Sequence, residues 1–181
     1  MGDIDILIMP LETPPETIQE AAKLAKKRGI KVVLNPAPAR FLGDDLLSRV
    51  DVLVPNEHEI FQTSKHYVAS VTELEEAART LILHGVKAVV TTLGSNGVSI
   101  VEEGQDAVQL PAFAVDVVDT TAAGDSFVGA LAVGLGEGKS LSEACRFANA
   151  AGALTVTKMG AQPSLPTRTE VDGFLGSQRQ Q

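Results

Sequence analysis

Asp125 stands where a carboxylate can do proton chemistry. It lies in the run Asp119-Thr120-Thr121-Ala122-Ala123-Gly124-Asp125-Ser126-Phe127, which joins a strand-like stretch to an apolar helix. Ala122, Ala123 and Gly124 carry almost no side chain, so a ligand can approach the backbone N–H groups of the helix's first turn. Those N–H groups and the helix dipole attract anions, phosphate among them. Asp125 in the same turn can accept a proton from an attacking hydroxyl. A plainer reading, a carboxylate that only complements the helix dipole, stays open on these residues alone.

Two further segments carry polar or glycine-rich chemistry. Thr92-Leu93-Gly94-Ser95-Asn96-Gly97 lets backbone approach a nucleotide, although a hairpin turn has the same composition. No Gly-Lys-Ser/Thr follows it, so it is not a Walker A loop, and no GxGxxG opens a helix. Glu59 can act on Mg²⁺ through water or be a solvated helix carboxylate. His58, His66 and His84 show neither ligand nor triad spacing. Cys145 cannot form an internal disulfide, being the single cysteine, and its place in an apolar helical pattern reads as a reduced core thiol.

The elements that must position these residues alternate. Ile4 to Met9 reads as a strand closed by Pro10. A helix follows, with Thr13 as cap, Pro14 at its first position, Glu16 completing a capping box and Ile18, Ala21, Ala22 and Ala25 as apolar face. Ile30 to Leu34 is a strand leading into the proline-rich loop Asn35 to Ala39. Val50 to Val54 is another, and Pro55 to Glu59 opens a short helix. Ser70 and Glu73 cap a helix with Leu74, Ala77, Ala78, Leu81 and Ile82 on its inner face, stopped by Gly85. Ala88 to Leu93 and Val98 to Val101 are strands about the glycine-rich turn, and Glu102-Glu103-Gly104 is a second hairpin tip. Ala112 to Val118 reads as one more strand. Helices follow over roughly 123–137 and 141–157, the second capped by Ser140 with Glu143, and a short one starts near Thr167. Such alternation implies an α/β fold with a mostly parallel sheet, whose ligands collect beyond the carboxyl ends of its strands.

With 181 residues, 44% hydrophobic and 21% charged, the chain suits one ordinary domain, taken here as 1–176 with a frayed polar end over 177–181. A net charge of −8 speaks against nucleic acid as a partner. No apolar stretch is long enough to span a bilayer, and Met1-Gly2-Asp3 opens neither a signal peptide nor a myristoylation signal, so the expectation is a cytoplasmic protein with no membrane partner.

The run DTTAAGDSF resembles the C-terminal signature of the PfkB-type carbohydrate kinases, because Asp119 and Gly124-Asp125 occur together in that context. LNPAPAR at Leu34 to Arg40, PNEHE at Pro55 to Glu59, TLGSNG at Thr92 to Gly97 and GAQPSLP at Gly160 to Pro166 resemble segments of the family's ribokinase branch, in order. The resemblance implies a Rossmann-like, ribokinase-type three-layer fold and ATP-dependent phosphorylation of D-ribose to ribose 5-phosphate, or of another sugar or nucleoside. It implies Asp125 as the base and the N–H groups of Ala122, Ala123 and Gly124 as the anion hole. Asn56 and Glu59 would serve the ATP phosphates and Mg²⁺, and Thr92, Gly94, Ser95, Asn96, Gly97 and Asn149 the nucleotide. Glu12 would touch the sugar. Asp119, Thr121, Thr155, Lys158, Gly160 and Ser164 would surround K⁺, with Lys158 and Gly160 giving backbone carbonyls. Family members carry a further N-terminal portion with a β-strand lid and most sugar contacts, which has no counterpart here. The sheet is therefore expected to be incomplete, with an open edge and exposed apolar surface suited to a homodimer or to a missing N-terminal half. A non-catalytic nucleotide-binding fragment is the alternative.

Overall fold

A computed structural model of the chain describes residues 4–64 and 70–178. They form two compact units, one of Met1–Leu93 and Ser99–Gln109, the other of Gly94–Val98 and Leu110–Gln181.

The first unit is built on strands β1 (Ile6–Pro10), β2 (Lys31–Asn35), β3 (Val52–Leu53), β4 (Ala88–Thr92), β5 (Val98–Glu102) and β6 (Val108–Leu110), which neighbour one another in chain order. β1 to β4 are parallel, with Pro10 opposite Asn35, Leu34 opposite Leu53 and Leu53 opposite Val89. The link from β4 to β5 is far shorter than a parallel crossover needs, so that pair runs antiparallel. The N–H of Glu103 accordingly meets Lys87 O at 3.0 Å. Helices α1 (Pro15–Lys27), α2 (Asp44–Leu47), α3 (Glu57–Ser64) and α4 (Val71–Leu83) form the connections. One core joins Ile18, Ala22 and Ala25 of α1, Leu46 and Leu47 of α2, Ile60 of α3 and Leu74, Ala77, Ala78 and Leu81 of α4 to Val32, Leu34, Leu53 and Val89. The alternate strand residues Val33, Val52 and Val90 are buried too, as in parallel strands with both faces covered. β1 has no second partner among the described residues, and Ile8 on it is 40% exposed, so the expected open edge is present.

Several boundaries differ from the sequence reading. Helix α1 begins one residue later than expected. Pro14 is its N-cap, with ψ 140°, and Pro15 its first residue, because a residue before proline is excluded from the helical region. No side chain caps it, so Thr13 and Glu16 form no capping box. The strand over Val50 to Val54 pairs only at Val52–Leu53, and the single-turn helix α2 carries no periodic signal long enough to read. Ser70 does cap α4, its hydroxyl accepting from the Glu73 N–H at 3.2 Å.

The second unit is helical: α5 (Ala123–Gly136), α6 (Leu141–Thr155) and α7 (Arg168–Ser177). α6 opens with the full Ser140–Glu143 capping box and α7 with another from Thr167 and Glu170. α5 and α6 approach closely at Gly134, where a Cβ would stand 3.0 Å from Ala144 Cα. Phe147, Ala150, Ala151 and Val171 form this unit's core with Phe113 and Phe174 against it, and Cys145 is buried. Ala112 to Val118, expected as a strand, is not one. It is extended enough for the N–H groups of Val118 and Asp119 to reach Val156 O, at 2.8 and 3.2 Å, but it pairs with no strand among the described residues, and Val117 and Val118 stay exposed. Ser177 ends α7 rather than opening a frayed tail, and Gln178 is its cap. Residues 179–181, the start 1–3 and His66 lie outside the described residues. Among the described residues no helix is long and apolar enough to cross a membrane.

Candidate active site

The second unit holds the turn that carries Asp125. Ala122, the N-cap of α5, adopts φ 61° and ψ 8°, and is the one non-glycine residue with positive φ among those described. That left-handed residue turns the chain sharply between Thr121 and the helix. The N–H of Ala123 donates to Thr120 O at 3.2 Å and that of Ser126 to Ala122 O at 2.9 Å. The N–H groups of Ala122, Gly124 and Asp125 meet no acceptor among the described residues, so they form the open donor set. Asp125 is exposed, and no hydrogen bond or ion pair engages its carboxylate among the described residues. A helix N-terminus with free donors and an uncommitted carboxylate in one turn can take an anion and a proton together.

Asp119 braces this turn. Its Oδ1 accepts from the Thr121 N–H at 2.9 Å and the Thr121 hydroxyl at 2.7 Å, and its Oδ2 accepts from the Gly160 N–H at 2.8 Å. The Gly160 N–H first, then the Thr121 hydroxyl and N–H, hold its carboxyl below the ordinary aspartate value. Asp119, Thr121 and Gly160 are thereby brought together. Thr155, fully buried, has its hydroxyl 2.8 Å from that of Ser126 and donates to Ala151 O at 2.9 Å. Ser164, equally buried, donates to Ala161 O at 2.6 Å. The Lys158 ammonium pairs with Glu170 at 3.0 Å. Glu170 is held at about 2, by the Thr167 N–H first and then by Lys158 and the Thr167 hydroxyl.

The glycine-rich turn is a 3₁₀ turn, Gly94–Asn96, closed by the Gly97 N–H on Gly94 O at 3.1 Å. Gly97 has φ 91°, and a Cβ there would fall 2.0 Å from Leu110 O, so only glycine fits. Asn149 on α6 donates its side-chain amide to Pro111 O at 2.8 Å.

In the first unit the polar residues follow the strand ends, as the α/β reading expects. Glu12 is exposed in the turn after β1. Asn56 bridges to Thr92 at the end of β4. Its Oδ1 accepts from the N–H groups of His58 and Glu59, both at 2.9 Å, and Glu59 Oε2 accepts from the Asn56 N–H at 2.8 Å. These two residues are thus the reciprocal N-cap of α3, which the spacing Asn56-x-x-Glu59 announces and the sequence reading passed over. The sequence reading also missed Asp51, a nearly buried carboxylate bound by Lys26, Lys87 and the Val32 N–H.

Comparison with known proteins decides the family. The family model for pfkB family carbohydrate kinases matches residues 2–168. The chain belongs to that family. It is 46% identical over 171 residues to a ribokinase of Haemophilus influenzae, covering 94% of this chain and 56% of that one. A Thermotoga maritima ribokinase structure superimposes with TM-score 0.86 at 43% identity, over 95% of this chain and 57% of the other. The structure of Arabidopsis thaliana ribokinase complexed with ribose and ATP gives TM-score 0.90 at 36% identity, over 94% and 55%. The chain therefore spans little more than half the length of these relatives, and its sheet is incomplete beside theirs.

The residues present fit the ions that the pfkB kinase resemblance implies. Asp119, Thr121, Thr155 and Ser164 offer carboxylate and hydroxyl oxygens, the donors hard cations take. With its ammonium on Glu170, Lys158 has only its carbonyl to offer such a site. Glu59 is a half-buried carboxylate in the first turn of α3, whose Oε2 meets the Asn56 N–H, and a lone carboxylate of this kind suits Mg²⁺ that keeps several waters. Among the described residues no group of three or more His, Cys, Asp or Glu side chains stands as a metal cluster.

Proposed function

We propose that this chain carries the phosphoryl-transfer portion of an ATP-dependent sugar kinase that converts D-ribose to ribose 5-phosphate. The observation that carries the reading is the Ala122–Asp125 turn, where open N–H donors and an unpaired carboxylate share the start of α5. Family membership and the similarity to ribokinases support it. Asp125 takes the proton of the sugar's primary hydroxyl as that oxygen attacks the terminal phosphorus of ATP. The bond from phosphorus to the ADP oxygen breaks, and ADP leaves with the electron pair. The N–H groups of Ala122, Ala123 and Gly124 face the charge on the transferring group, Ala123 contributing least because its N–H already meets Thr120 O.

Gly94, Ser95, Asn96 and Gly97, with Thr92, hold the nucleotide, Asn149 serves that nucleotide site from α6, and Glu12 contacts the sugar. Asn56 and Glu59 serve the ATP phosphates and Mg²⁺, which neutralises phosphate charge when bound. Asp119, Thr121, Thr155, Ser164 and the carbonyls of Lys158 and Gly160 hold K⁺. Residues 1–176 are taken as the kinase domain.

The test is ADP release by the 181-residue chain with ribose, Mg²⁺ and K⁺, run beside Asp125→Asn and a ribose-free blank. Ribose-dependent turnover that falls by about 10²–10⁴ in the variant is the expected result. Turnover equal in wild type and variant would reject Asp125 as base. ADP binding without turnover would favour the second reading, a nucleotide-binding fragment, which the open β1 edge supports.

A further inference from the structure

Resting on the reading that the Gly94–Gly97 turn holds nucleotide, we propose that Asn149 is a positioning residue that acts on that turn through Pro111. Pro111 has no N–H, so its carbonyl is its only backbone hydrogen-bonding group. That carbonyl accepts from Asn149 Nδ2 at 2.8 Å, across 38 positions of chain. The bond pins the strap Leu110–Ala112 to α6. One residue on, Phe113 meets Phe174 of α7 edge-on, ring centroids 5.2 Å apart, and the Arg146 guanidinium lies 5.8 Å from the Phe113 ring. Asn149 and Phe113 therefore fasten the strap to both helices.

The strap in turn walls the glycine-rich turn. A Cβ on Gly97 would fall 2.0 Å from Leu110 O and 2.6 Å from both Pro111 C and Ala112 N, so the two backbones are in direct contact. The Gly97 N–H closes the turn on Gly94 O. A strap released from Asn149 lets Gly97 shift, and the turn loses its closure. Asn149 thus holds the turn's shape before any nucleotide arrives. A residue that only touched nucleotide would leave the empty turn unchanged.

The discriminating experiment is amide hydrogen exchange on the nucleotide-free 181-residue chain, with ADP affinity measured alongside by calorimetry. Asn149→Asp keeps the shape and replaces the donor by an acceptor. Asn149→Ser removes the reach without adding charge, and serves if repulsion in Asn149→Asp loosens α6. The expected result is about tenfold faster exchange at Gly97, the scale of one lost hydrogen bond, with α5 and α6 amides unchanged and ADP bound about tenfold more weakly. Gly97 exchange that stays at the wild-type rate in both variants overturns the proposal. If ADP affinity falls nonetheless, Asn149 touches the nucleotide directly. Faster Gly97 exchange in a chain whose wild type binds no ADP leaves the positioning role standing and rejects the nucleotide reading instead.

Discussion

Asp51 should hold more of the first unit's stability than any other charged residue in it. Its carboxylate accepts from Lys26 Nζ at 2.8 and 3.0 Å, from Lys87 Nζ at 2.9 Å and from the Val32 N–H at 2.9 Å. Val32 is fully buried, so Asp51→Ala strands a backbone donor away from water, at about 1–3 kcal/mol. Losing the charge-assisted bond from Lys26, whose side chain is 31% exposed, adds about 1.5 kcal/mol. Lys87 is largely exposed and adds less than about 1 kcal/mol. The total is about 3–5 kcal/mol, against the ~5–15 kcal/mol typical of a domain. Asp51→Asn keeps an oxygen for Val32 and should cost about half as much. Native-state exchange of the Val32 amide in the full chain reads this unit directly. A loss below about 1 kcal/mol for Asp51→Ala, or an equal loss for both variants, would refute the reasoning. The pH dependence follows with a definite sign. Burial by itself would raise the Asp51 carboxyl, but Lys26, the Val32 N–H and Lys87 together lower it below the ordinary 3.8. The stabilisation is therefore complete above about the unfolded value and lost as pH falls through the lower folded one, and Asp51→Ala should flatten that acid limb.

Other outcomes can be stated briefly. Ala122→Gly relieves a left-handed alanine, worth about 1 kcal/mol, and loosens the unfolded chain by a similar amount, so its melting temperature should match wild type. Ala122→Val puts a β-branched side chain in that conformation and should lower thermal stability measurably. Asp119→Asn keeps one acceptor but loses the charge on the Thr121–Gly160 brace, so on the proposed K⁺ site any stimulation of turnover by K⁺ should weaken, read as the ratio of rates with and without K⁺. Gly134→Val pushes side-chain atoms against Ala144 at the α5–α6 crossing and should cost about 1–3 kcal/mol in urea unfolding.

What the sequence discloses here depends on how local each cause is. The alternation of strands and helices, the caps Ser70 and Ser140, the helix start near Thr167 and the glycine-rich turn are all written within a few residues, and all are found. The error at Thr13 was also local, since Pro14 before Pro15 cannot be helical. Ala112 to Val118 shows the opposite case. Its apolar, β-branched composition fits an extended segment, but a strand needs a partner, and partners are not a property of the segment. Asp51 was unreadable because its donors come from residues 26, 32 and 87. Ala122 carries no signal at all, because alanine gives no hint of a left-handed backbone. At the candidate site, Asp125 and its neighbours were legible as chemistry; which N–H groups stay open was decided by the turn.

The strand order of the first unit has a kinetic meaning. In a sheet whose second strand lies beside its first, its third beside its second and so on to its sixth, no strand waits for a distant one before it can pair. Each new strand closes only the loop that its own connection makes, which keeps the entropic cost of every pairing small. The sheet can be laid down as the chain is extended, always growing at one side. Among the described residues, β1 takes no part in that growth and keeps one side without a strand partner.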